Sequence, residues 1–151
     1  MPVWCENTLH ARGPNSAISQ WLDAVRLDVQ DPDGQPMCFD FNRVVPCPRY
    51  LRPELAQLGK FDFAIGKPVE DSAPSAGAYW WCIAHWGTKW NASHVVVTPR
   101  RYGADVSFDT AWSAPFPIII ALLEQYPMLA FSLHYRLEGK RRYQFVDWNK
   151  P

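Results

Sequence analysis

The chain has 151 residues, 48% hydrophobic and 15% aromatic, which suits one domain with a sizeable core and excludes a disordered chain. Lys and Arg number 15 against 15 Asp and Glu, so no global field gathers nucleic acid or membrane lipid, and an acidic mimic of DNA is excluded too. No apolar run approaches the roughly 18 residues of a membrane span. Met1-Pro2-Val3-Trp4-Cys5-Glu6 lacks the basic start and apolar centre of a signal peptide, so a cytoplasmic location is expected.

In chain order, residues 3–11 are expected to form a short strand on the strength of their aromatic and β-branched content, although Trp4, Asn7 and Leu9 do not alternate cleanly. Gly13-Pro14-Asn15-Ser16 is turn chemistry, with Asn15 or Ser16 placed to cap a helix. Ile18, Trp21, Leu22, Val25 and Val29 recur at spacings of three and four, which predicts an amphipathic helix over residues 17–29. Asp31-Pro32-Asp33-Gly34 stops it. Met37-Cys38-Phe39-Asp40-Phe41 reads as a strand, with Val44 to Pro48 as its extended exit, and residues 53–58 can make one or two helical turns. Residues 59–77, rich in proline, glycine and serine, read as an irregular, exposed insert, the first part of the fold a protease would cut.

The densest stretch is Trp80-Trp81-Cys82-Ile83-Ala84-His85-Trp86-Gly87-Thr88-Lys89-Trp90-Asn91, which holds four of the eight tryptophans. Alternation predicts a strand with both faces occupied, and Gly87 marks a bulge or a close backbone approach. Trp86, Lys89, Trp90 and Asn91 would then line a polar rim beside an aromatic platform. Residues 95–98 and 104–112 alternate around the turn Pro99-Arg100-Arg101-Tyr102-Gly103 as a hairpin, with Val106 and Phe108 opposite Asp105, Ser107 and Asp109. Ser113 is placed to cap a helix over residues 118–126. Residues 129–135 and 142–148 then pair across Glu138-Gly139-Lys140. The predicted class is α+β: a ferredoxin-like antiparallel sheet in a single domain, residues 1–151, with two helices packed on one face.

Cys5, Cys38, Cys47 and Cys82 are widely spaced, so reduced thiols are expected. The one suggestive ligand spacing, Cys82 to His85, falls on opposite faces of a strand, so neither a metal nor another cofactor is expected.

Four blocks resemble, in order, the YubB-type ferredoxin-like family carried by plasmids and phages: Met1-Pro2-Val3-Trp4-Cys5-Glu6-Asn7, the run from Phe39 to Pro48, the run from Trp86 to Ala92, and Thr110-Ala111-Trp112-Ser113-Ala114-Pro115. The chain departs from the family pattern where Tyr135-Arg136-Leu137-Glu138-Gly139 runs on into the basic Lys140-Arg141-Arg142. The resemblance implies the fold and a mobile-element origin, and it carries over no catalytic residues.

No phosphate-cradling glycine loop, nucleophile elbow or zinc-protease helix is visible. A conceivable acid/base group is His85 and Asp109, with Thr88 between them if adjacent strands pair. Arg100-Arg101-Tyr102 and Lys140-Arg141-Arg142-Tyr143 each join cations to an aromatic at a turn, the pairing that contacts phosphate and stacks on a base. The expected function is that of a non-enzymatic accessory protein of a mobile element. It would bind a host protein, such as a defence component, or a small nucleotide-like signal, through Trp86, Lys89, Trp90, Asn91, Trp112, Arg100 and Arg101. The alternative is a small nucleotide- or nucleic-acid-processing enzyme.

Overall fold

The computed structural model describes residues 3–30, 36–55, 61–62, 67–68 and 76–149. A five-stranded antiparallel sheet is built from β1 (Trp4–Arg12), β6 (Ser93–Arg100), β7 (Gly103–Ala111), β8 (Ala130–Leu137) and β9 (Gln144–Asp147), in the order β6-β7-β1-β8-β9. Between β1 and β6 come α1 (Asn15–Val25), the paired strands β2 (Leu27–Gln30) and β3 (Pro36–Met37), and the short α2 (Arg52–Leu55). They are followed by a two-residue pair, β4 (Phe61–Asp62) and β5 (Lys67–Pro68), and by α3 (Ala76–His85). The helix α4 (Phe116–Gln125) crosses from β7 to β8. The first four strands of the sheet in chain order lie as in a ferredoxin-like fold, with β1 and β7 central, and β9 extends one edge.

The sheet's alternation decides what it buries. On β1, Cys5, Asn7, Leu9 and Ala11 are buried; across the ladders they meet Ala104, Val106, Phe108 and Thr110 of β7 and Phe131 and Leu133 of β8. Against this face pack Ala17, Ile18, Trp21 and Val25 of α1, Ala78 and Cys82 of α3 with Trp86 just beyond it, and Ile118, Ile119 and Leu122 of α4. Edge-on aromatic contacts run through the core from Phe131 to Trp21 (5.4 Å between centroids), Phe39 (6.5 Å), Phe41 (5.3 Å) and Trp86 (5.8 Å). Ring pairs at this spacing add to what area burial alone gives.

The α+β ferredoxin-like class expected from sequence is the observed one, with corrections to its elements. The tryptophan run is not a strand. Residues 76–85 are helical, with Ala78, Cys82 and Trp86 buried at a spacing of four. A run that is apolar at nearly every position satisfies both periods, and packing decides between them. The helical layer therefore holds α3 as well as α1 and α4. The helix expected over residues 17–29 stops at Val25, because Arg26 turns extended (φ −85°, ψ 150°) and Leu27–Gln30 becomes a strand. Neither Asn15 nor Ser113 caps: Pro14 and Pro115 occupy the N-cap positions, and the Pro14 carbonyl accepts from Ile18 N at 3.0 Å. Phe41 opens a turn of 3-10 helix rather than closing a strand, because the Asp40 side chain accepts from Asn42 N. The insert expected over residues 59–77 falls largely outside the described residues.

Candidate functional site

The tryptophan rim proves to be a packed corner. Trp86 is wholly buried and donates from Nε1 to the Val45 carbonyl at 2.9 Å. Trp90 is 8% exposed and packs edge-on to Trp4. Asn91 accepts through Oδ1 from Phe41 N and Ala92 N, both at 2.9 Å, and donates from Nδ2 to Asp40 Oδ1 at 2.7 Å. That uses its amide on three backbone or side-chain partners and leaves little for a ligand. Lys89 lies over the Trp112 ring at 4.8 Å and the Tyr79 ring at 5.6 Å. Of the binding residues expected near this corner, Lys89 and the half-exposed Trp112 are the pair that reaches the surface together. Among the ring contacts of the described residues, Trp86 meets Phe41 and Trp81, Trp90 meets Trp4, and Trp112 lies under Lys89.

Gly87 does make the close approach expected of it. Its φ is +76°, and a Cβ there would stand 2.5 Å from Pro117 Cδ. It serves as the glycine just past the end of α3, its N–H reaching the Cys82 carbonyl at 3.1 Å.

His85 and Asp109 are not neighbours. His85 ends α3 on the helical side, exposed and stacked on Trp81 at 4.7 Å. Asp109 belongs to the opposite face of the sheet and bonds His94 Nδ1 at 3.0 Å. Burial raises the Asp109 carboxyl above its ordinary range, with His94 acting against the rise. Thr88 is spent on the Ala111 carbonyl at 2.7 Å.

Among the described residues no helix covers the other face of the sheet, and that face carries chemistry that the sequence did not advertise. Side chains from β6, β7, β1, β8 and β9 point there: Arg100, Asp105, Asp109, Glu6, His10, Arg12, His134, Arg136 and Phe145. Near its centre, Asp105 Oδ1 meets His10 Nδ1 at 2.9 Å and Arg12 Nη1 at 3.0 Å, while Oδ2 accepts from Arg100 Nε at 2.8 Å. Burial alone would raise this carboxyl, but the three donors outweigh it and hold the pKa at about 2. His10 continues the line, its Nε2 lying 2.7 Å from His134 Nδ1. Burial lowers the pKa of His134, and the nearby His10 lowers it further. The His134 ring lies 4.4 Å from the half-exposed ring of Phe145. A second group adjoins: Arg136 binds Glu6 Oε2 through Nη2 at 2.6 Å and covers the Tyr143 ring at 4.4 Å.

The strand positions of His10 and His134 were visible in the sequence. Their meeting was not, because the β1–β8 register comes from a pairing across more than 120 residues. Among the described residues no group of three or more His, Cys, Asp or Glu could hold a metal, and no helix is long and apolar enough to cross a membrane.

Residues 85–143 match the family described as the ferredoxin-like domain in Api92-like protein. The crystal structure of a protein api92 from Yersinia pseudotuberculosis superposes with a TM-score of 0.58 at 8% identity, covering 97% of this chain and 95% of that one. At that identity the likeness speaks for the fold alone. No curated protein matches the chain.

Proposed function

We propose that this protein works by binding, and that the open face of its sheet, rather than the tryptophan corner, is the binding surface. The observation that carries this is the line Arg100–Asp105–His10–His134–Phe145. It is a row of oriented polar groups ending in an exposed aromatic ring, on a face that the fold does not use for its own core. Fixed donors beside an aromatic ring suit a planar, anionic partner, such as a nucleotide-like signal. The resemblance to the YubB-type family supports an accessory role in a plasmid or phage, acting in the cytoplasm of a host bacterium on a host component or its signal.

Capture from host lysate tests the reading, with mass analysis of retained proteins and small molecules. A ligand held by the wild type and lost from Phe145→Ala at unchanged Tm, with Arg100→Gln weakening its capture, supports it. A ligand retained by both variants sinks it. A second reading, a small nucleotide-processing enzyme, is favoured by the hydrogen-bonded chain from Asp105 through His10 to His134, the arrangement that orients an imidazole as a base. Its working group would be His134 rather than His85. Turnover of a nucleotide by purified protein, abolished in His134→Gln, would move the assignment to that class.

A further inference from the structure

The two basic turns that the sequence singles out lie at opposite ends of the open face. The β6–β7 turn carries Arg101, whose guanidinium covers the Tyr102 ring at 5.4 Å, beside Arg100 and next to the Arg12 end of β1. The β8–β9 turn carries the exposed Lys140, Arg141 and Arg142 and leads to Tyr143 at the other end of β1. Nine residues of β1 separate them, about 27 Å at the usual strand rise. Between them stand the Asp105–His10–His134 line and Phe145.

Two carboxylates of the face meet cations directly: Glu6 meets Arg136, and Asp105 meets Arg12 and Arg100. Further cations cluster at the two turns, Arg101 at one and Lys140, Arg141 and Arg142 at the other. Arg100 spends its Nε on Asp105 and is half exposed, which leaves the outer edge of its guanidinium for another acceptor. Phe145 and Tyr143 are 51% and 48% exposed, which leaves ring area on each for stacking with a partner.

We propose that the open face binds single-stranded nucleic acid, running diagonally from the Arg100–Arg101 turn to the Lys140–Arg142 turn. Phosphates sit at Arg100 and at the turn cations, and a base stacks on Phe145 beside His134. The inference rests on the reading of the open face as the binding surface. From Asp105 to Phe145 the path crosses three strand spacings and two residues, about 16 Å. That distance suits a short run of unpaired nucleotides better than a lone mononucleotide. Duplex is disfavoured, because its bases are not free to stack on an exposed ring. The zero net charge of the chain makes the interaction local, so a small number of phosphates should govern its salt dependence.

The test is fluorescence anisotropy with labelled octanucleotides, oligouridine and oligothymidine, against uridine monophosphate and a duplex of the same length. Titrations are run at about 50 and 200 mM salt, with Tm followed for every variant. The expected result is saturable binding of the single strands, tighter than monophosphate or duplex. Phe145→Ala should weaken it about tenfold or more, and Arg100→Gln should lower the salt slope by about 0.7. Absence of binding overturns the inference, as does preference for duplex, or binding that both variants leave unchanged. If no oligonucleotide binds while a lysate ligand is lost from Phe145→Ala, this inference fails and the binding reading stands. If the lysate ligand survives Phe145→Ala, the binding reading fails as well.

Discussion

Asp105 and His134 sit on one hydrogen-bonded line, and both are displaced below their ordinary pKa. For Asp105 the folded value of about 2 lies below that of the unfolded chain. Its ionised form therefore stabilises the fold above the usual carboxylate range, and that contribution drains away as pH falls toward 2. For His134 the folded value also lies below the unfolded one. The unfolded chain then takes up the proton first, and stability falls as pH drops through about 6.5. Thermal melts between about pH 7.5 and 5 should show Tm declining toward acid, and His134→Gln should flatten that decline. A slope equal in both proteins would refute the assignment. The thiols give a second residue-scale expectation. Burial pushes Cys5 up to about 11 and Cys82 up to about 12, and raises Cys47 as well. A thiolate reagent should therefore label the partly exposed Cys38 first in native protein, with peptide mapping as the readout.

At the scale of elements, α3 and the bend behind it explain why the tryptophans are structural. The helix ends because Gly87 takes a positive φ, and the Pro117 ring occupies the space a side chain would need. Gly87→Ala should cost about 2 kcal/mol or more in chemical denaturation, since it adds left-handed strain to the displacement of Pro117. The two wholly buried tryptophans differ in one respect. Trp86 donates to Val45, whereas Trp21 Nε1 finds no acceptor among the described residues. Trp86→Phe should therefore destabilise by about 1 kcal/mol more than Trp21→Phe, the worth of one buried hydrogen bond. Equal losses in paired denaturation curves would mean that the Val45 contact contributes nothing.

Across the whole molecule, segments 3–7, 39–48, 86–92 and 110–115 converge on one corner. Asn7 Nδ2 donates to Thr110 Oγ1 at 2.9 Å, Thr110 donates to the Ser113 carbonyl at 2.6 Å, and Ser113 Oγ donates to the Gly87 carbonyl. Asn91 reaches Asp40 and Phe41, and Trp112 N donates to the Val3 carbonyl at 2.8 Å. These residues tie β1, the segment after β3, the bend after α3 and the end of β7 into one joint. The open face shares none of these partners, so fold and binding should separate by mutation. Asn91→Ala should lower Tm by about 5–10 °C, because it strands two buried N–H groups. Phe145→Ala should leave Tm nearly unchanged and affect ligand capture alone.

Composition, the hairpin around Arg101 and Tyr102, the late helix and the closing strand pair are legible in the sequence, because each is set by local periodicity and turn chemistry. The same signals were sufficient to put Asp105 and Asp109 on the face away from Val106 and Phe108. The sequence also marks Gly87 as a close approach and marks the two basic turns, since glycine and clustered cations are informative wherever they stand. It could not choose helix over strand for residues 76–85, where an unbroken apolar run fits either period and the choice is made by Cys82 and Trp86 entering the core. Nor could it separate indoles that build a corner from side chains that stay exposed. His10, Asp105 and His134 are separated by 95 and 29 residues along the chain and meet through strand register alone. Register is a property of the assembled sheet, and no local pattern encodes it.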